Sequence, residues 1–226
     1  MKLAIIRNIS LITLLALITL IYFNCSDNNP IGTNTSSSLT LSGKITGWTL
    51  GIKRLRAMIN SSRSGSQYEI CTCPIDSSGN FSLTFPETIV DTTLFKGDSI
   101  FTLGCVGNVH INSAFAKGST ISGLDVMDSS NALGYVSFCN YDTLTTGTCY
   151  ETYYYVNSDL TVNGTQFCYY SDTITYNCSF KRGWNKTYVH IINDYGYYHY
   201  TMAYNNTVCS GGEWKFKTFF NNNTHR

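Results

Sequence analysis

Short runs in which apolar and polar residues alternate, separated by turn-forming residues, follow one another along the chain. The run from Phe81 to Phe85 alternates strictly, and the segment from Asp76 to Asn80 before it has the composition of a turn. Short strands spaced in this way are typical of β-sandwiches and barrels, whereas the only passable helical period lies near the N-terminus. The sequence therefore predicts an all-β fold of two β-sandwich-like halves, residues 39–128 and 129–226.

The individual strands are predicted from the same alternation. They are residues 39–47, 55–60, 67–74 and 81–85 in the first half, and 134–138, 149–156, 165–170, 173–180, 187–192, 197–204 and 214–220 in the second. Residues 114–119 are predicted to form a loop that crosses between sheets.

The N-terminal segment has the features of an export signal. Lys2 and Arg7 precede an apolar stretch from Ile9 to Phe23, which has the length of a signal-peptide core. A permanent transmembrane helix is the alternative, but it needs about 20 apolar residues and Asn24 ends this stretch. Residues 1–24 are therefore predicted to be a signal peptide that takes no part in the fold.

The residues at the end of this segment, Tyr22-Phe23-Asn24-Cys25, resemble the processing site of bacterial lipoprotein precursors. That family carries Leu-(Ala/Ser)-(Gly/Ala)-Cys at this place, so the two positions before Cys25 are bulkier here than usual. The resemblance implies a diacylglycerol thioether on Cys25, membrane lipid as a partner, and an anchor in the bacterial outer membrane. Residues 25–38 are polar and are predicted to be a flexible tether. The alternative is that Cys25 is a ninth ordinary cysteine.

Eight further cysteines remain, an even number that suits disulfide bonds in an exported chain. They are Cys71, Cys73, Cys105, Cys139, Cys149, Cys168, Cys178 and Cys209. Two pairs flank polar turns at equal intervals, which predicts the hairpin bridges Cys139–Cys149 and Cys168–Cys178. Cys71 or Cys73 would then join Cys105, and the other would meet Cys209 or stay free. A zinc site is the alternative, but Cys-x-Cys is not the spacing of a zinc knuckle.

Two segments of the first half, Gly43-Lys-Ile-Thr-Gly47 and the turn from Asp76 to Asn80 followed by Phe81, resemble the transthyretin-like or carboxypeptidase-regulatory-like β-sandwich. The resemblance covers roughly residues 39–105 and implies a noncatalytic spacer or binding unit. In the second half, residues 179–185 resemble a pattern of surface lipoproteins of Gram-negative bacteria, which implies no chemistry.

No motif predicts catalysis or a cofactor. The histidines are His110, His190, His199 and His225, and neither a nucleophile elbow nor a phosphate-binding loop nor a His-Glu-x-x-His pattern is present. A hairpin that brings His190, His199 and Asp194 together could bind a metal or transfer protons, and Asp76 could belong to half of a calcium loop. These remain alternatives to the prediction of a protein without enzyme activity, metal or cofactor.

The tyrosines of the second half are the remaining functional signal. Tyr153, Tyr155, Trp184 and Trp214 are predicted as possible ligand aromatics, which could stack on a glycan or contact another envelope protein. The alternative is that these rings pack in strands and keep only their polar ends wet.

Charge excludes one class of partner. The net charge is +1, and removal of Lys2 and Arg7 leaves 13 basic against 14 acidic residues, which lacks the basic excess that nucleic acids require. The sequence thus predicts a noncatalytic, lipid-anchored cell-envelope lipoprotein with a structural or accessory role. The alternative is a surface glycan-binding module.

Overall fold

Strands dominate the regular structure of the protein, which confirms the all-β prediction. The computed structural model describes residues 38–62, 65–102, 104–113, 115–121, 124–168, 172–196 and 200–219. In these ranges the helical elements are one 3₁₀ turn (Asp91–Thr93) and one short helix, α1 (Gly97–Phe101).

In the same described ranges, fifteen strands account for the rest of the regular structure. They are β1 (Thr40–Thr46), β2 (Lys53–Asn60), β3 (Gln67–Ile75), β4 (Asn80–Thr84), β5 (Phe95–Lys96), β6 (Cys105–Ile111), β7 (Lys117–Ile121), β8 (Leu124–Asp128), β9 (Asn131–Cys139), β10 (Cys149–Val156), β11 (Leu160–Cys168), β12 (Thr173–Phe180), β13 (Gly183–Asp194), β14 (Tyr200–Asn205) and β15 (Glu213–Thr218). The predicted strands 149–156 and 173–180 match β10 and β12, and the other predicted strands overlap observed ones. The predicted loop 114–119 is wrong in its second part, because β7 begins at Lys117.

Seven strands close into a ring in the order β1, β4, β3, β2, β8, β9 and β15. The ring closes because β15 pairs in parallel with β1 on one side and antiparallel with β9 on the other. Every strand of the ring contributes apolar side chains to one core, among them Leu55, Val126 and Trp214. The ring draws on both predicted halves of the chain, since the turn between β8 and β9 contains the predicted boundary at residues 128/129.

The remaining eight strands form a second part of the same sheet, which joins the ring where β9 pairs with β10 and runs β10, β13, β14, β12, β11 and β6, with β7 beside β10 and β5 beside β7. Its own core lies under α1, where the ring of Phe101 packs 5.3 Å from Tyr154 and 5.6 Å from both Tyr176 and Phe180, measured between ring centroids. The other face of β10 contributes Tyr153 to the core of the seven-stranded ring. Both faces of β10 are therefore covered.

The turn between β3 and β4 has the structure that its sequence predicts. Asp76 Oδ1 accepts hydrogen bonds from the backbone N–H groups of Ser78 and Asn80, and Oδ2 accepts one from the side chain of Asn80. Gly79 has a φ of +87°, which a residue with a Cβ rarely adopts. These hydrogen bonds hold the pKa of Asp76 below its ordinary value.

The disulfide bonds connect segments that are distant in sequence, and the predicted hairpin pairings are wrong. The bonds join Cys105 to Cys168 and Cys149 to Cys209, which leaves Cys71, Cys73, Cys139 and Cys178 as free thiols. The predicted links from Cys71 or Cys73 to Cys105 and Cys209 are wrong as well.

Strand register explains both errors. Cys139 lies opposite Tyr150, so that Cys149 projects from the other face of the sheet. Cys178 lies opposite Val162, whereas Cys168 lies opposite Cys105. Equal distance from a turn was the wrong criterion. An offset of one residue reverses the face from which Cys149 projects, and Cys168 lies six residues (168 − 162) along β11 from Val162, the partner of Cys178.

The predicted signal peptide, Cys25 and the tether up to residue 37 lie outside the described residues. Within the described ranges, no helix has the length and apolar character needed to cross a bilayer.

Candidate functional site

The aromatic residues predicted to contact a ligand belong to the core. Tyr153, Tyr155, Trp184 and Trp214 are each at most 8% exposed, so the prediction that they are ligand aromatics is wrong, and their rings pack as the alternative states. Trp184 packs 4.6 Å from Phe85 between ring centroids, and its Nε1 donates to the carbonyl of Pro86 at 2.7 Å. Alternate residues of the tyrosine run in β10 would be exposed only if one face of β10 were open to solvent. Both faces are covered, so the tyrosines on each face are buried.

The two histidines within the described residues, His110 and His190, do not belong to a metal-binding cluster. The Nε2 atom of His190 lies 3.0 Å from the carbonyl oxygen of Thr207, and Asp194 accepts a hydrogen bond from the backbone of Gly196. His199 and His225 lie outside the described residues, so the proposed approach of His199 to His190 stays a prediction. Within the described ranges, no group of three or more His, Cys, Asp or Glu side chains could hold a metal ion.

A groove of about 420 Å³ lies instead against the outer face of the ring. The strand register places four side chains side by side on this face of the ring: Arg56 on β2 faces Asp125 on β8, Asp125 faces Tyr135 on β9, and Tyr135 faces Lys217 on β15. Asp125 and Tyr135 line the groove, and Arg56 and Lys217 lie beside them. We refer to this space, lined by Asp125, Tyr135 and the residues described below, as the outer groove.

Aromatic rings form two sides of the outer groove. Tyr135 and Phe219 lie 6.0 Å apart between ring centroids with their planes inclined by 36°, and Phe219 is 47% exposed. Tyr141 and Tyr150 meet edge to face at 6.3 Å. Aromatic surface is therefore available on both sides of the floor.

Tyr141 is held in place by its neighbours. Lys217 Nζ lies 3.9 Å from the centroid of its ring, and the thiol of Cys139 donates to its carbonyl oxygen at 3.4 Å. Tyr141 lies in the segment from Asn140 to Thr148. The two ends of this segment are joined, because Asn140 Oδ1 accepts a hydrogen bond from the N–H of Cys149. Cys149 is in turn disulfide-bonded to Cys209. The disulfide thus supports one side of the outer groove.

Neutral polar side chains line the rest of the outer groove. Asn60 and Gln67 face each other at the ends of β2 and β3, and Thr120 and Ser137 add hydroxyl groups. The amide side chains of Asn60 and Gln67 have no hydrogen-bond partner among the described residues. Met58 contributes an apolar patch beside them.

The ionisable groups in and beside the outer groove are paired or buried. Arg56 donates from Nε and Nη2 to Oδ2 of Asp125, at 3.2 and 3.1 Å. Burial raises the pKa values of Tyr135, Tyr141 and Tyr150, which keeps their hydroxyl groups protonated. Burial also lowers the pKa of Lys217.

Sequence reasoning did not find this site, because its residues come from six strands (β2, β3, β7, β8, β9 and β10), from the loop before β10 and from the residue after β15, which are distant in the chain. The weak signals were the polar residues at strand ends, such as Asn60, and the exposed Phe219 after β15. Comparisons of the chain with family models, with curated proteins and with solved structures found no match.

Proposed function

We propose that the protein is an exported, lipid-anchored lipoprotein of the cell envelope, whose folded body has a noncatalytic accessory role and acts by binding. The observation that carries the proposal is the pair of disulfide bonds, Cys105–Cys168 and Cys149–Cys209, because disulfides form and persist in oxidising compartments. They support export, which the N-terminal segment also predicts. Cys25 provides the attachment point for the lipid.

The outer groove supports binding rather than catalysis as the role of the body. Its carboxylate, Asp125, is neutralised by Arg56, and its tyrosines stay protonated. A nucleophile needs an activating neighbour, and the carboxylate of Asp125 is engaged in an ion pair with Arg56 instead. The groove instead offers fixed aromatic surface and neutral polar groups, which suit the positioning of a ligand.

The experiment that tests the anchor compares wild-type protein with Cys25→Ser in cells supplied with radiolabelled palmitate. We expect label on the wild type and its recovery in the outer-membrane fraction, whereas Cys25→Ser should carry no label. Cys71→Ser is the matched control, because it also removes a free thiol yet leaves the processing site unchanged, and it should be labelled like the wild type. An unlabelled wild type, or a labelled Cys25→Ser protein, would overturn the proposal.

A further inference from the structure

We propose that the outer groove binds a short neutral saccharide, with Tyr135 and Phe219 contacting the sugar ring and Asn60, Gln67 and Asp125 contacting its hydroxyl groups. This inference rests on the proposed binding role of the body and not on the lipid anchor.

The charge balance of the groove selects a neutral ligand. Arg56 and Asp125 compensate each other, so neither presents a net charge to a ligand. Lys217 is directed to the ring of Tyr141, and its Nζ also lies 3.4 and 3.3 Å from the backbone carbonyl oxygens of Tyr141 and Asp142. An anionic ligand would need a free cationic side chain, and a cationic one a free carboxylate.

The aromatic surface suits the apolar face of a sugar ring. Tyr135 and Phe219 lie close together with their planes inclined by only 36°, so a flat ligand can contact both. The C–H groups on one face of a pyranose meet the negative face of an aromatic ring favourably. The partial exposure of Phe219 leaves that surface open to solvent and hence to a ligand.

The polar side chains match the hydroxyl groups of a sugar. Each of the amides of Asn60 and Gln67 offers both donors and an acceptor, which suits a hydroxyl group that also donates and accepts. Arg56 holds Asp125 through Oδ2 from two nitrogen atoms, which fixes the carboxylate and leaves Oδ1 to accept from a ligand. The hydroxyl of Ser137 lies on the same face of the ring as Tyr135, two residues away on β9.

The size of the groove fits this ligand class. A volume of about 420 Å³ falls within the range of roughly 300–1,000 Å³ that is typical of small-molecule sites. A smaller space on the other side of Asn60 and Thr120, about 160 Å³ and walled by Phe95 and Ile100, extends the same surface. A short chain of sugar residues could therefore continue past Asn60.

Methionine methyl groups provide a direct test of where a ligand binds. Met58 lines the outer groove, whereas Met127 and Met202 do not line it and are buried, at 2% and 9% exposure. The full chain, labelled with ¹³C at its methionine methyl groups and purified in a detergent without a sugar headgroup, would be titrated with maltose, cellobiose, lactose and N,N′-diacetylchitobiose. We expect at least one sugar to shift the Met58 signal with saturation at millimolar concentration or below, while the signals of Met127 and Met202 stay in place.

Substitutions then test the assigned contacts. Tyr135→Ala and Phe219→Ala should each weaken binding by about three- to tenfold, and Asn60→Ala should weaken it by a similar factor. Phe115→Ala and Asn108→Ala are the matched controls, because both residues are exposed and lie outside the groove, and they should bind like the wild type.

Three results would overturn the saccharide assignment. They are the absence of a Met58 shift with every sugar, a shift that Tyr135→Ala leaves unchanged, and a shift caused by an end-blocked tetraalanine peptide but by none of the sugars. Palmitate-labelled protein that gives no sugar-dependent shift contradicts the saccharide assignment alone. If the protein takes up no palmitate label in cells but shows sugar-dependent shifts of Met58, only the lipid anchor is contradicted.

Discussion

Removal of the Cys149–Cys209 bond tests how the second half of the chain is held together. The two cysteines are 60 residues apart in sequence, so the bond restricts a long loop in the unfolded state. The loop-closure relation gives about 4 kcal/mol of stabilisation for a loop of this length at 25 °C. The double variant Cys149→Ser/Cys209→Ser should therefore lower the free energy of unfolding by about 4 kcal/mol.

The assay is urea denaturation of the wild type and the variants, followed by tryptophan fluorescence. Cys139→Ala is the informative control, because Cys139 is fully buried but forms no disulfide. It should lower the free energy of unfolding by only about 1 kcal/mol, through the loss of one buried sulfur atom. Mass mapping of the wild type without reduction should recover the peptides of Cys149 and Cys209 as one linked species.

The reasoning fails if Cys139→Ala destabilises the protein as much as the double variant does. That result would indicate the hairpin bridge Cys139–Cys149, which the register of β9 and β10 excludes. A double variant with unchanged stability would contradict the chain-entropy argument. The double variant should also weaken any ligand binding that depends on Tyr141, because Cys149 fixes the end of the segment that carries it.

Three further predictions concern packing and pH. Gly43→Ala should lower the free energy of unfolding by about 1–3 kcal/mol, since its Cβ would lie 2.4 Å from Cδ1 of Trp214; an unchanged thermal midpoint would contradict the tight contact of β1 with β15. Phe101→Ala should cost about 3–5 kcal/mol because Phe101 is 2% exposed, and equal stability of this variant and the surface control Phe115→Ala would refute the core under α1. Burial raises the pKa of both Cys71 and Cys178 from 9.0 to about 12. Between pH 9 and 12 the unfolded chain releases thiol protons that the folded protein retains, so the urea midpoint should fall as the pH rises above 9. A Cys71→Ala/Cys178→Ala variant with the same pH dependence as the wild type would contradict this cause.

Local sequence patterns predicted much of the secondary structure. Strict alternation located β4, and the Asp76 turn formed as its composition indicated, because these features depend on neighbours in the chain. β6, β7 and β8 were missed: β6 and β7 contain Gly107 and Gly118, and in β8 the apolar Met127 follows Val126 and breaks the alternation. In β8 the two inward residues, Leu124 and Val126, are buried by pairing with β2 and β9, which a single strand does not reveal.

Long-range contacts could not be predicted in this way. The closure of the ring depends on the parallel pairing of Ile45 with Trp214, which joins the two ends of the described chain. The outer groove depends on the registers that place Asp125 beside Tyr135 and Tyr135 beside Lys217. Pairing partners and single-residue offsets determine these arrangements, and the periodicity of one strand does not specify either of them.

The most direct test of the central proposal is the intact mass of the protein extracted from membranes, measured with thiol alkylation before and after reduction. The proposal predicts a chain that begins at Cys25 and carries a lipid increment, with four alkylated thiols before reduction and eight after it. A chain that retains residues 1–24, or that begins at Cys25 without added lipid, would contradict the lipoprotein assignment. A count of eight alkylated thiols before reduction would contradict the two disulfide bonds on which the export argument depends.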